Sequence, residues 1–190
     1  MTFKTYLPYI ISALMLMLSP GCCWSASNQQ PLSFSDLLYL YYHYGEEGVA
    51  EKTGLSFLYE INDESEDGDV GYHEVVLARD VEYTKRAEFG YDLKAKSEHA
   101  CYFMAGEDTS RHACLCFASQ EDANSFFEAV CNAKPCTFDD MKVVINKDSA
   151  NSKVVRVEEV MEDGSTSSLF DVISPEFEDG FYKIELSAYY

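Results

Sequence analysis

The residues best suited to chemistry are concentrated in one stretch, HACYFMAGEDTSRHACLCF, which contains two histidines and three cysteines. Side chains two positions apart in a strand face the same side. If this stretch is a hairpin with an even-length turn, one face would carry His99, Cys101, His112, Cys114 and Cys116. Imidazole and thiolate are good ligands for zinc or copper. A metal site is therefore one interpretation of the stretch.

A disulfide is the preferred interpretation of the same cysteines. Thiols in an exported protein tend to oxidise, and the spacing here matches no known zinc signature. Depending on the register, Cys101 would oppose Cys114 or Cys116, and Cys131 would pair with Cys136 to close the loop after a helix. Free cysteines packed in a sheet are a third interpretation.

A second candidate stretch is DESEDGDVGYHE, residues 63–74, in which oxygen-bearing side chains recur at regular spacing. It resembles the calcium loop of EF-hand proteins, with a glycine at the sharp turn and a glutamate at the twelfth position. The resemblance implies the calcium ligands Asp63, Ser65, Asp67, Asp69 and Glu74. Strands are predicted on both sides, where an EF-hand has helices. A solvated acidic loop between two strands is therefore the preferred interpretation, with bound Ca²⁺ as the alternative.

Signatures of known enzyme classes are missing from the sequence. It contains no G-x-S-x-G, H-E-x-x-H or C-x-x-C motif and no phosphate-binding glycine loop. Asp and Glu are too abundant for any two of them to indicate acid–base catalysis. We therefore expect a protein that is not an enzyme.

The elements that would position these residues follow from hydrophobic periodicity. Ser33 and Asp36 form a capping-box pattern before a helix, and a second helix is predicted near residues 120–132 with Ser119 at its N-terminus. Alternating apolar residues predict strands over most of the remaining chain, including a hairpin that turns at Asp163-Gly164. The sequence predicts an α+β domain with a largely antiparallel sheet.

The first 27 residues are predicted to be a signal peptide. A lysine precedes an apolar run of twelve residues, which is too short to span a bilayer, and small residues follow. Cleavage is expected near residues 21/22, with lipidation of Cys22, or at 27/28. Residues 28–190 would then form a single α+β domain.

The net charge of −19 limits the possible partners. So acidic a chain is repelled by nucleic acid and by anionic membranes, which leaves basic partners or cations.

The signal region and the layout of elements resemble those of small exported bacterial lipoproteins of unknown function. The resemblance implies a location in the cell envelope or secretion, with the membrane contacted only through a lipid anchor. We expect a protein or cell-envelope partner; the alternatives are calcium-dependent binding and an acidic inhibitor or immunity-type protein.

Overall fold

The secondary structure is described for residues 30–63, 72–87, 90–107, 111–147 and 153–188 in a computed structural model. The helices are α1 (Phe34–His43), α2 (Val49–Thr53) and α3 (Gln120–Cys131). The strands are β1 (Ser56–Asp63), β2 (Tyr72–Arg79), β3 (Val81–Lys85), β4 (Tyr91–Ala95), β5 (Cys101–Glu107), β6 (Arg111–Phe117), β7 (Cys136–Phe138), β8 (Met141–Lys147), β9 (Val154–Val160), β10 (Thr166–Ile173), β11 (Glu176–Glu178) and β12 (Phe181–Ala188). Among these residues, no helix has both the length and the apolar character needed to cross a membrane.

One large sheet runs in the order β1-β2-β5-β6-β12-β10-β9-β8-β7, and β11 pairs with β12 outside this path. All pairings within it are antiparallel. Strands β3 and β4 form a separate two-stranded sheet. The prediction of a largely antiparallel sheet is confirmed. Helices make up a small part of the chain, which is compatible with the α+β class.

The capping pattern predicted for the first helix is present. Ser33 Oγ accepts a hydrogen bond from the backbone N–H of Asp36, and the Asp36 carboxylate accepts one from the backbone N–H of Ser33. The reciprocal pair satisfies two of the backbone donors that a helix start leaves without a partner. Gly54 ends α2 with a φ of 69°, a left-handed conformation that glycine adopts without strain.

One face of the large sheet, here called the inner face, packs against α1 and α3. Its side chains include Val75, Leu77, Phe103, Leu115 and Ile184, and they share one hydrophobic core with the buried stripes of both helices. In α3 that stripe consists of Ala123, Phe126, Phe127 and Val130. Burial of this apolar surface is the main force that holds the helices on the sheet.

The opposite face, here called the outer face, is partly covered by the β3–β4 hairpin. Asp80 adopts a φ of 55° and separates β2 from β3. Val81 of β3 packs in a second core cluster with Ala78, Cys114 and Cys116 of the outer face. Because both of its faces are covered, β2 is buried at five consecutive positions.

A histidine joins the end of α1 to the β7–β8 turn. His43 Nδ1 lies 2.8 Å from Glu46 Oε1, and its Nε2 is hydrogen-bonded to Asp139. Asp139 and Asp140 form the turn with φ values of 43° and 68°. The hydrogen bonds to Glu46 and Asp139 raise the pKa of His43 above its usual value, although burial opposes the shift.

We expect this contact to make stability depend on pH. A raised pKa means that the folded state holds the proton more tightly, so the stabilisation is complete below the unfolded pKa of about 6.5 and is lost as pH rises through the folded pKa. Urea unfolding of the wild type and of His43→Gln checks this. The wild type should lose its advantage over the variant as the pH rises above about 6.5. A difference that is constant over this range would contradict the prediction.

Candidate functional site

The predicted cluster of five histidines and cysteines does not form, because the hairpin turn has an odd length. Glu107 pairs with Arg111, which leaves the three residues 108–110 between the strands. Cys101 therefore lies opposite Phe117 and packs in the inner-face core, whereas Cys114 and Cys116 project from the outer face. A one-residue change of register moves every side chain to the other face. The prediction of a metal site shared by both strands is wrong.

The two histidines of the stretch are exposed and belong to different surroundings. His99 lies before β5 and not within it, and its Nδ1 is 3.0 Å from Asp122 of α3. His112 lies opposite Gly106 at the far end of the hairpin. Among the described residues, neither histidine belongs to a group of three or more side chains that could hold a metal ion.

The predicted disulfides do not form either. The five cysteines within the described ranges are free thiols: Cys101, Cys114, Cys116, Cys131 and Cys136. Cys101 cannot meet Cys114 or Cys116 because the sheet separates them. Cys131 at the end of α3 and Cys136 at the start of β7 are partly buried and pack against the inner-face core.

The EF-hand-like segment lies mostly outside the described residues. Ser65, Asp67 and Asp69 fall in the gap at 64–71. Cys22, the predicted lipidation site, falls in the first 29 residues, which also lie outside the described residues. The flanks of the EF-hand-like segment are the strands β1 and β2, as the sequence predicts. Within the ranges that the structure covers, no three His, Cys, Asp or Glu side chains are grouped so that they could hold a metal ion. Calcium binding by residues 63–74 stays a prediction.

A cavity of about 430 Å³ lies between the outer face and the β3–β4 hairpin. Strands β1, β2 and β5 form its floor, the hairpin forms one wall, and the β11–β12 turn contributes to the rim. Its aromatic lining consists of Tyr59, Tyr72, Tyr91, Tyr102 and Phe181, and its charged lining of Glu74, Arg86, Asp92 and Asp179. A concave surface with a few polar groups among aromatic rings is typical of a binding site.

Glu74 is the buried carboxylate of this cavity, with only 8% of the residue exposed. The Tyr59 hydroxyl donates to its Oε1 at 3.2 Å, and the Tyr72 hydroxyl donates to its Oε2 at 2.5 Å. Gly106 of β5 lies close to this contact: a β-carbon there would be 3.3 Å from the backbone oxygen of His73 and 3.8 Å from the Tyr72 hydroxyl oxygen. Each carboxylate oxygen can accept a further hydrogen bond.

Three tyrosine rings pack together beside Glu74. The Tyr59 and Tyr91 ring centroids are 4.1 Å apart, and the Tyr83 ring approaches both of them, at 5.7 and 5.2 Å. Burial raises the pKa of Tyr59, and the neighbouring Glu74 raises it further. The Tyr59 hydroxyl therefore stays protonated and remains a hydrogen-bond donor over the physiological pH range.

The charges at the rim favour a cationic ligand. Arg86 Nε lies 2.6 Å from Asp92 Oδ1, so the guanidinium is already neutralised. Glu74 and Asp179 add two carboxylates to the lining. Tyrosine faces attract cations through the ring quadrupole. The arrangement suits a positively charged group on an apolar stem.

The sequence singled out Glu74 in another role and missed the tyrosines. They come from β1, β2, β4 and β5, which meet only through non-local pairing and the fold of the β3–β4 hairpin. The one available signal was the unusual number of tyrosines, 14 in the chain.

Comparison with protein-family models, with curated proteins and with solved structures gives no match to this chain.

Proposed function

We propose that this chain is an exported, non-enzymatic binding domain of the cell envelope or extracellular space that captures a basic side chain of a partner protein. The observation that carries the proposal is the outer-face cavity, in which the buried carboxylate of Glu74 faces a group of tyrosine rings. The export signal read from the sequence supports the location. The overall charge of −19 supports a basic partner.

A lysine side chain fits the lining better than a neutral or anionic ligand. Its apolar stem would contact the rings while its ammonium reaches Glu74. A cation over an aromatic face gains about 0.5–2 kcal/mol, depending on how far it is desolvated. An anion would instead have to approach the buried Glu74 carboxylate, at a cost.

The net charge would act on the rate of association more than on the final contact. Oppositely charged proteins are steered together before they touch, and salt screens this attraction over about 8 to 10 Å. Binding that weakens steeply with salt would favour the inhibitor or immunity-type version of this function, in which a broad basic surface is covered. Weak salt dependence would favour a single side chain held in the cavity.

Replacement of Glu74 tests the site. The probe is an acetylated, amidated tetralysine peptide, titrated calorimetrically into the wild type, Glu74→Gln and Glu162→Gln. Glu162 is exposed in the β9–β10 turn, so its variant loses the same charge far along the sheet from the cavity. Loss of a charge-assisted hydrogen bond costs about 1.5–3 kcal/mol, so we expect Glu74→Gln to weaken binding by about tenfold or more.

The controls separate the cavity from general electrostatics. Glu162→Gln should bind as the wild type does, and a peptide with norleucine in place of lysine should not bind. Tyr59→Phe, which keeps the ring and removes one donor to Glu74, should bind the tetralysine peptide more weakly and should still show a cooperative unfolding transition in urea. Equal weakening by Glu74→Gln and Glu162→Gln would overturn the proposed site.

The intact mass of the chain isolated from an exporting bacterial host tests the location. A mass that starts at Cys22 and includes acyl chains would establish the membrane anchor. A mass that starts at Asn28 would establish a secreted form. A mass that still includes residues 1–27 would overturn the export part of the proposal.

A further inference from the structure

Two cysteines lie side by side on the outer face of β6. Cys114 and Cys116 are two positions apart, and their Sγ atoms are 3.8 Å from each other. Both are almost fully buried, with 2% and 1% of each residue exposed. They lie behind the cavity lining, in the cluster that also contains Phe181. This thiol pair plays no part in the function proposed above.

The backbone of a strand keeps such a pair from forming a disulfide. Residues two apart along a strand are separated by about 6.6 Å, and their β-carbons by a similar distance, whereas a disulfide needs β-carbons about 3.5–4.5 Å apart. β6 is paired on both sides, with β5 and with β12. A bend large enough to join Cys114 to Cys116 would break these ladders.

The same spacing suits a metal ion between the two sulfurs. With metal–thiolate bonds of about 2.3 Å, a separation of 3.8 Å corresponds to a sulfur–metal–sulfur angle of roughly 110°. That angle lies within the range of trigonal and tetrahedral sites. The side chains therefore need little movement to coordinate one ion.

The residues opposite the two cysteines in the neighbouring strands are soft, aromatic or charged. Met104 lies directly opposite Cys114 in the β5–β6 ladder and packs against the cluster that holds both cysteines. Tyr102 lies opposite Cys116 in the same ladder. Lys183 lies opposite Cys116 in the β6–β12 ladder, and its Nζ is 3.0 Å from Glu178 Oε2.

We propose that Cys114 and Cys116 bind one Cu(I) ion as thiolates, with the Met104 thioether as a third sulfur ligand. Two S–H bonds break, two Cu–S bonds form, two protons leave to solvent, and the copper stays Cu(I) throughout. The site carries one net negative charge, which the Lys183 ammonium opposes. Soft thiolate and thioether ligands favour Cu(I), zinc and iron–sulfur clusters over harder metal ions.

The number of ligands decides between copper and zinc. Structural zinc takes four ligands, usually Cys or His. No third His, Cys, Asp or Glu in the parts of the chain that the structure describes joins this pair in a group able to hold a metal. Cu(I) is satisfied by two or three sulfurs; the two thiols lie 3.8 Å apart, and Met104 lies opposite Cys114 in the neighbouring strand.

The cavity supplies a route to the pair, because Tyr102 and Met104 belong to its lining. An ion that enters the cavity therefore meets the Met104 side of the site first.

Anaerobic titration with Cu(I) tests the site, using the full chain and a chromophoric chelator that competes for the ion. We compare the wild type, Cys114→Ala/Cys116→Ala and Cys131→Ala/Cys136→Ala, which removes two thiols that are less buried. The wild type and the second variant should each bind one equivalent that the first variant lacks. X-ray absorption should show sulfur neighbours at about 2.3 Å, the length of comparable metal–thiolate bonds.

A conservative variant keeps the test decisive if the double alanine variant fails to fold. Tyr102→Phe retains the ring and removes the hydroxyl of the residue opposite Cys116, so its affinity should fall by about 10–100-fold, as for other groups that support a metal ligand. Each of three results would overturn the proposal: binding that disappears in Cys131→Ala/Cys136→Ala, binding that persists in a folded Cys114→Ala/Cys116→Ala variant, or an affinity that is unchanged in Tyr102→Phe.

Discussion

Phe170→Ala should lower the free energy of unfolding by about 3–5 kcal/mol, the range found when a buried aromatic residue is cut to alanine. Phe170 is fully buried in β10, and its ring stacks on Tyr41 of α1 with 4.1 Å between centroids. The substitution removes the transfer free energy of the ring and leaves a cavity between the helix and the sheet. Part of the contact that holds α1 in place is lost as well.

Urea unfolding monitored by circular dichroism measures this effect, and Phe177→Ala is the matched control. Phe177 lies in β11 with 66% of the residue exposed, so its removal should change stability by less than about 1 kcal/mol. Equal losses in the two variants would mean that α1 does not pack on the sheet as described.

Ala123→Asp should be at least as damaging, because it places a charge in the core. Ala123 is fully buried in the stripe that α3 presents to the inner face. An ionised carboxylate there has no partner, and even its neutral form leaves buried polar atoms without water, at a cost of several kcal/mol. We expect little or no folded protein at 37 °C, since total stability is about 5–15 kcal/mol.

The same helix supplies the control for this substitution. Ala129 is exposed on α3, and Ala129→Asp should cost less than about 1 kcal/mol. An aspartate near the C-terminus of a helix is disfavoured by the helix dipole, whereas near the N-terminus it is favoured, each by about 0.3–1 kcal/mol. The helix dipole therefore favours aspartate at position 123 over aspartate at position 129. If Ala123→Asp is nevertheless the less stable variant, burial of the carboxylate must be the cause. Thermal melts that rank Ala129→Asp as the less stable variant would contradict the packing of α3.

The local elements could be predicted because their signals are local. Ser33 with Asp36, and Ser119 with Asp122, mark helix starts within four residues of sequence, and the structure contains both caps. Asp163-Gly164 marks a hairpin turn in the same way, with Gly164 at a φ of 83°. The order of strands in the sheet was not predicted, since it depends on pairings between segments far apart in the chain.

The face on which each cysteine lies could not be predicted, for a reason of parity. The sequence shows that Cys114 and Cys116 share a face, which holds for any strand. Whether Cys101 shares it depends on whether the turn has an even or an odd number of residues, and alternating hydrophobicity is the same in both cases. The tyrosine cavity was missed because it requires the β3–β4 hairpin to fold over the outer face.

The place of β12 in the sheet bears on the order in which the molecule assembles. Strands β1, β2, β5 and β6 form one half of the sheet and β7 to β10 the other, and β12 lies between β6 and β10. β12 follows the strands of both halves in the sequence, so a ribosome or an export channel releases it after both halves have emerged. The neighbours within each half are mostly joined by short loops, whereas the pairing of β12 with β6 must close a loop of about 70 residues and is slow by comparison. We therefore expect the two halves to acquire a common core only in the final folding step, with the inner face open to chaperones and proteases until then.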